Sequence, residues 1–207
     1  MDENVSIVYV LLDGDKIIDI NSSDFLESTD GWTAIDEGAG DKYKHAYLHY
    51  LPGRPCAEDG TSLWKLVDGI PTERTSEEID ADRLPTAKAI KIIKSKEDLE
   101  AYLASHPLQW TDGQQYSITR EKQQQLTSKI LSATVAAQTS TPYALTWNAT
   151  GEECTSWRLE NLAALAYAID ARVTALVSYQ QAKEVAINAA QTMAELEAIE
   201  VNYDTVV

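Results

Sequence analysis

"LENLAALAYAIDARVTALVSY", residues 159–179, decides the reading of the fold. Set in heptads, it places Leu159, Ala166 and Val173 at one seam position and Leu162, Ile169 and Leu176 at the other, which predicts a helix with an apolar side. Leu165 and Tyr179 flank the seam on one side, Ala163 and Val177 on the other. A two-stranded coiled coil carries charge at those flanks, so the wider apolar face points to a helix packed against several neighbours. Burying six such side chains stabilises a fold by several kcal/mol at ~25 cal/mol per Å² of apolar area. The face is therefore assigned first to the chain's own core, chiefly against a helix over 119–138 and a hairpin over 143–157. Its second use is a partner or self-association interface, with Val173, Leu176 and Tyr179 as candidate partner-binding residues. Beyond residue 179 the register meets Gln180 and Lys183 before Ile187, so the last turns bury less.

Working outward from that helix, which runs over 158–190, the second region is mainly helical. Thr192-Met-Ala-Glu195 is a capping box that opens a last short helix through Ile199. Residues 143–147 and 152–157, joined by the polar turn 148–151, form a β-hairpin. Thr119 caps a helix through Gln138, with Leu126, Ile130 and Ala137 along one face. Residues 109–113 make a short strand and turn. Ser95-Lys-Glu-Asp98 starts a capped helix over 95–104, halted by His106-Pro107.

The first region reads as β. Residues 5–12, "VSIVYVLL", end at Asp13-Gly14, and "KIIDI" at 16–20 resumes the apolar run, which is a hairpin signature. Residues 32–35 alternate, and the cluster "DEGAGD" at 36–41 reads as a turn. Residues 43–51 are aromatic-rich and strand-like until "PGRP" at 52–55 stops them. Residues 63–67 form a last strand, followed by the turn Asp68-Gly69. An antiparallel sheet of four to six strands results. Thr75-Ser-Glu-Glu78 is a further capping box, opening a short helix through about Arg83 that Leu84-Pro85 closes. The expected fold is thus α+β. A small N-terminal antiparallel β domain with a short closing helix (1–83) leads through a linker (84–94) to a mainly helical C-terminal domain (95–207) with one β-hairpin and a long helix.

Charge divides the same way. Residues 1–87 carry 19 acids and 7 bases, and residues 88–207 carry 14 acids and 10 bases, in a chain of net charge −16. Such a balance opposes binding to a nucleic-acid backbone, which needs clustered Lys and Arg. No run approaches the ~18 apolar residues of a membrane span, and the acidic start "MDEN" is unlike a signal peptide. Cys56 and Cys154 stand in unrelated contexts and suggest neither a disulfide scaffold nor a zinc ribbon.

The motifs of catalysis are missing. His45-Ala-Tyr-Leu-His49 has the spacing of a zinc helix, but the Glu of H-E-x-x-H and an evident third ligand are absent, so both histidines are assigned structural or surface roles. Asp13, Asp15 and Asp19 fit a turn better than a calcium loop. Asp36 and Glu37 lack a second carboxylate at a defensible spacing for glycoside cleavage. There is no nucleophile elbow, P-loop or dinucleotide fingerprint. No catalytic, cofactor-binding or metal-binding residue is assigned, and no cofactor is expected. Tyr43, Tyr47, Tyr50 and Trp64, which crowd the acidic region near Trp32, are the remaining candidate partner-binding residues, because Tyr and Trp offer rigid amphipathic contact area.

Two stretches resemble known phage modules. "QWTDGQQYSITREKQQQLTSKILSATVAAQ", "YALTWNATGEECTSWRLENLAALAYAIDARV" and "TMAELEAI" resemble an uncharacterised helical domain at the C-terminus of many tailed-phage and prophage proteins, encoded close to tail-fibre genes. Trp110, Gly113, Trp147, Leu162, Leu165 and Ile169 occupy that pattern's fixed positions. "INSSDFLESTDGWTAIDEGAGDKYKHAYLHYL" and "LWKLVDGIPTERTSEEIDAD" resemble a β module of phage tail proteins of Gram-positive hosts, with its Gly-Trp, Asp-Glu-Gly, Gly-Asp-x-Tyr-x-His-Ala and Val-Asp-Gly. The resemblance brings no catalytic residues. It implies a non-enzymatic tail-fibre accessory, an assembly chaperone whose partner is the tail fibre or receptor-binding protein, in the bacterial host cytoplasm during phage assembly. The alternative is a structural virion component of the tail fibre or baseplate, and a tail-associated hydrolase is a lesser one. A homo-oligomer is permitted; nucleic acid and membrane are not expected partners. Ionisable groups gathered around a ligand-sized hollow would count against the non-enzymatic reading.

Overall fold

β-Branched residues at alternate positions make Val5–Asp13 (β1) a strand with one buried side, and Ser6, Val8 and Val10 point inward. A two-residue loop, with Gly14 at φ 65°, returns the chain as Lys16–Ser22 (β2), pairing Asp13 with Lys16 and Val10 with Ile20. The computed structural model describes residues 5–206 of the chain. These divide into two compact units, Met1–Thr86 and Ala87–Val207.

In the first unit an antiparallel five-stranded sheet has the order β3-β1-β2-β4-β5, with Trp32–Ala39 (β3), Trp64–Val67 (β4) and Ile70–Glu73 (β5). Asp68 and Gly69 both have positive φ, as a tight hairpin between β4 and β5 requires, so the expected last strand is followed by one more. Two further expectations change here. Residues 36–39, read as part of a turn, continue β3 and pair with β1 as far as Val5↔Ala39. Residues 43–51, read as strand-like, form two helical turns, Asp41–Lys44 (α1) and Ala46–His49 (α2). Aromatic content favours a strand, but Tyr43, Ala46 and Tyr50 follow helical spacing, and that face covers the sheet. Val8, Val10, Ile17, Ile20, Ala46 and Leu51 form the buried centre. The Tyr43 ring lies directly on Gly38, where an added Cβ would fall 2.4 Å from the ring.

Ser76–Ser105 (α3) is one helix of 30 residues, with Pro85 inside it. The capping box at its start is present: Glu78 N–H donates to Thr75 Oγ1 (3.3 Å) and Thr75 N–H to Glu78 Oε2 (2.9 Å). The stop expected at Leu84-Pro85 and the linker expected over 84–94 are both helix. Proline in a helix interior costs ~3 kcal/mol, and here that cost does not end the helix. Ser95, expected as a cap, sits mid-helix and buried. Its hydroxyl donates to the Ile92 carbonyl (2.8 Å) and accepts from Gln180 Nε2 (3.1 Å).

The second unit is built around Leu159–Ala189 (α5), with Leu162, Leu165, Ile169 and Leu176 buried. Arg120–Thr139 (α4), capped by Thr119, packs along it through Leu126 and Ala133. The α3 residues Leu99 and Leu103 join the same core, as do Tyr116, Ile118, Trp147 and Tyr203. Two small antiparallel ladders complete the unit: Leu108–Gln109 (β6) with Gln115–Tyr116 (β7), and Thr146–Trp147 (β8) with Thr155–Ser156 (β9). The single expected hairpin thus has a companion. Met193–Glu197 (α6) opens with the expected capping box on Thr192 and Glu195. By length and composition α5 could cross a membrane, so the chain does hold one sufficiently apolar stretch; its buried residues here face the core. The whole is α+β: an N-terminal antiparallel sheet followed by a mainly helical region with a long helix.

Candidate functional sites

Two surfaces, one on each unit, gather chemistry-bearing side chains. On the first, Ser22 Oγ donates to the Lys44 carbonyl (2.7 Å) and Ser6 Oγ donates to Asp24, which together set the 23–31 loop beside α2. Phe25 then meets the His45 ring at 5.3 Å between centroids and the Tyr47 ring edge-on at 5.8 Å. Phe25 and Tyr47 are each about half exposed (48% and 47%) and Leu48 is 60% exposed, so this is an aromatic patch in contact with water. Beneath it Asp41 faces both histidines, with Oδ1 at 3.7 Å from His45 Nε2 and Oδ2 at 3.2 Å from His49 Nε2. Among the described residues no three such groups are placed to hold a metal ion.

The expected partner-binding residues separate on inspection. Tyr47 belongs to the exposed patch. Tyr43, Tyr50 and Trp64 are half-buried and pack on the sheet core. Lys42 Nζ lies over the Tyr43 and Tyr50 rings, and Tyr50 donates its hydroxyl to Asp36 Oδ2 at 2.8 Å. Burial first, and that carboxylate second, push the Tyr50 phenol well above its ordinary range. Leu176 has no exposed area and Val173 and Tyr179 are half-buried against the second core, so the seam faces inward. Sequence reading missed Phe25 and Leu48; the signal available was a lone Phe in a polar loop beside an aromatic run.

The second surface is a cleft of about 1070 Å³ on the helical unit. Its walls are the turns of the two small ladders, and its side is the start of α5. Trp110 N–H donates to the Gln114 carbonyl (2.9 Å), closing one turn, and Thr150 N–H donates to the Gln115 carbonyl (2.8 Å), tying the second ladder's turn to the first ladder. Asp112 accepts from Gln114 N–H (2.9 Å) and from the Tyr116 hydroxyl (2.8 Å). Burial first, then that bond to Asp112, push the Tyr116 phenol up to about 12. Trp157 stands edge-on to Tyr116, 5.8 Å between centroids. Glu152, Glu153, Arg158 and Asn161 contribute to the rim. Ionisable groups do gather around a ligand-sized hollow here, which counts against the non-enzymatic reading, although Asp112 is already engaged by the Tyr116 hydroxyl and the Gln114 N–H. Trp110 was read as part of a strand and as a fixed position of the resembled domain, and Trp157 as part of a hairpin.

Elsewhere in the first unit, no buried side-chain polar atom is left without a partner among the described residues. Buried Arg74 donates to the carbonyls of Ser62 and Glu78 (2.8 Å each) and pairs with Asp82 at 2.8 Å. Lys16 donates to the other Asp82 oxygen at 2.8 Å. Lys16, and then Arg74, hold the Asp82 carboxyl below its ordinary range. Arg83, with Thr61 behind it, lowers Asp59 to about 2. These are structural ion pairs; a hollow of about 310 Å³ lies beside them, and the charged groups Lys16, Asp59 and Asp82 on its wall are already paired.

Comparison with known families gives a match to one described as a domain of unknown function (DUF4376) over residues 86–204, more than half of the chain. No curated protein and no solved structure matches.

Proposed function

We propose that this chain, which belongs to the DUF4376 family, is a non-enzymatic accessory of a phage tail fibre or receptor-binding protein and acts as its assembly chaperone. The observation that carries the proposal is the exposed aromatic pair Phe25 and Tyr47, with exposed Leu48 next to Tyr47 in the chain. A domain whose core already holds Val8, Val10, Ile17 and Ile20 has no internal need to leave those three wet. Tyr is enriched among the few residues that carry most of the energy in protein contacts. The patch would cover an apolar tip of an unassembled fibre until its subunits close on one another. The setting is the host cytoplasm during assembly, as the resemblance to tail-fibre-linked modules suggests.

Co-expression with the adjacent fibre gene tests this. Soluble, trimeric fibre should rise when the protein is present and fall back when Tyr47→Ala and Leu48→Ala are combined. Equal yields with and without the protein refute it. Mass spectrometry of purified particles addresses the structural alternative, since stoichiometric retention on the virion would make the chain a tail component. Loss of a measurable hydrolysis on replacing Asp36, Glu37, His45 or His49 by alanine would support the hydrolase alternative.

A further inference from the structure

We infer that the cleft between the two small ladders and the start of α5 is a binding site for a neutral oligosaccharide. Two half-buried tryptophans, Trp110 and Trp157, supply flat apolar surfaces. A pyranose ring has a flat C–H face of its own and a rim of hydroxyls, so it needs both an aromatic platform and convergent polar groups. The rim provides them in both senses. Gln114 and Asn161 carry amide donors and acceptors, and Asp112 and Glu152 are acceptors for hydroxyl hydrogens.

Size and charge narrow the ligand further. About 1070 Å³ reaches the top of the ~300–1,000 Å³ range of small-molecule clefts, which suits more than one sugar ring. Asp112, Glu152 and Glu153 face one arginine, Arg158, so a phosphate or a polyanionic glycan would be repelled. A basic peptide would also satisfy the charge, and it is the competing ligand in the titration that follows. The floor is the buried Ala149 and Tyr116, and Asp112 already accepts from the Tyr116 hydroxyl and from the Gln114 N–H. The walls are organised in advance by the hydrogen bonds within and between the two ladders, which reduces the ordering cost of binding. This site is independent of the aromatic patch on the first unit, and neither proposal requires the other.

Isothermal titration calorimetry of the full chain against chitohexaose, cellohexaose and maltohexaose tests the inference. At least one should bind. The double variant Gln114→Ala with Asn161→Ala, both exposed and outside the core, should weaken it by about tenfold while far-UV circular dichroism stays unchanged. Trp110→Ala should abolish it. The bound sugar should be recovered intact by chromatography. Silence with all three sugars, or an affinity indifferent to the double variant, overturns the inference. So does binding of hexalysine at the same residues while the sugars give no heat, and recovery of shortened sugar makes the site catalytic and refutes binding alone.

Discussion

Arg74 in the first unit and Leu162 in the second lie at comparable depth, 7% and 0% exposed, and do opposite things there. Arg74 is held by two backbone carbonyls and Asp82, and it fastens β5 to the start of α3. Leu162 belongs to an apolar core that runs from α3 through α4 and both ladders to α5. The small sheet has one covered face and few residues to bury beneath it, so charge pairs and hydrogen bonds supply what apolar area does not. The helical unit has a long helix with a wide apolar face, and apolar burial is the larger contribution there. A domain with a thin core depends on the protonation state of its surface; a domain with a thick one depends on shape.

The largest effect expected from breaking this contrast is on the thick core. Leu162→Ala should cost ~2–5 kcal/mol in urea unfolding followed at 222 nm. A loss of well under 1 kcal/mol would mean that the core around α5 is loosely packed. Next comes Arg74→Ala, which removes a donor from two carbonyls and leaves the Asp82 carboxylate to Lys16 alone, and should cost ~2–3 kcal/mol. A double-mutant cycle with Asp82→Ala should show positive coupling, and additivity would remove the ion pair from the account.

The smallest effect is that of pH. Asp59, Glu78 and Asp82 have lowered pKa values in the folded first unit, with Arg83, Lys65 and Lys16 as the respective leading causes. The stability they contribute is complete above the unfolded carboxylate range near ~4, and it is lost as pH falls through the folded values, down to about 2 for Asp59. In the second unit Glu184 is lowered in the same way, by Lys96 first. Tyr116 and Tyr203 are raised there to about 12, so their contribution is present below the unfolded phenol value near ~10 and disappears as pH rises toward 12. The acid limb of the melting temperature should flatten in Asp82→Asn and shrink in high salt, because these carboxylates are screened. An acid limb indifferent to both changes would assign it to other groups.

How much of this was legible varies with the residue. The Gly14 hairpin, the caps Thr75, Thr119 and Thr192, and the buried face of α5 all follow from local pattern. The aromatic run at 43–51 did not declare its helical turns, since Tyr-rich stretches favour a strand until the surface they pack on is known. Among the site residues, Tyr47 was legible as a contact residue, while Phe25 joins it only because a loop folds back. The cleft was hidden for the same reason. Trp110, Asp112, Glu152 and Trp157 come from two separate ladders, and no spacing in the chain encodes their meeting.

Thr75 and Ser95 mark the division. Both open a pattern of hydroxyl, two residues and an acid; one caps α3 and the other is buried in its middle, bonded to Ile92 and Gln180. Hydrophobic period, turn chemistry and charge determined the α+β class, the order of its elements and the inward face of α5, because those are properties of neighbours along the chain. Continuity of α3 through Pro85, the aromatic patch and the cleft were decided by tertiary structure, because each depends on which distant groups arrive to satisfy a hydrogen bond or to leave a surface open.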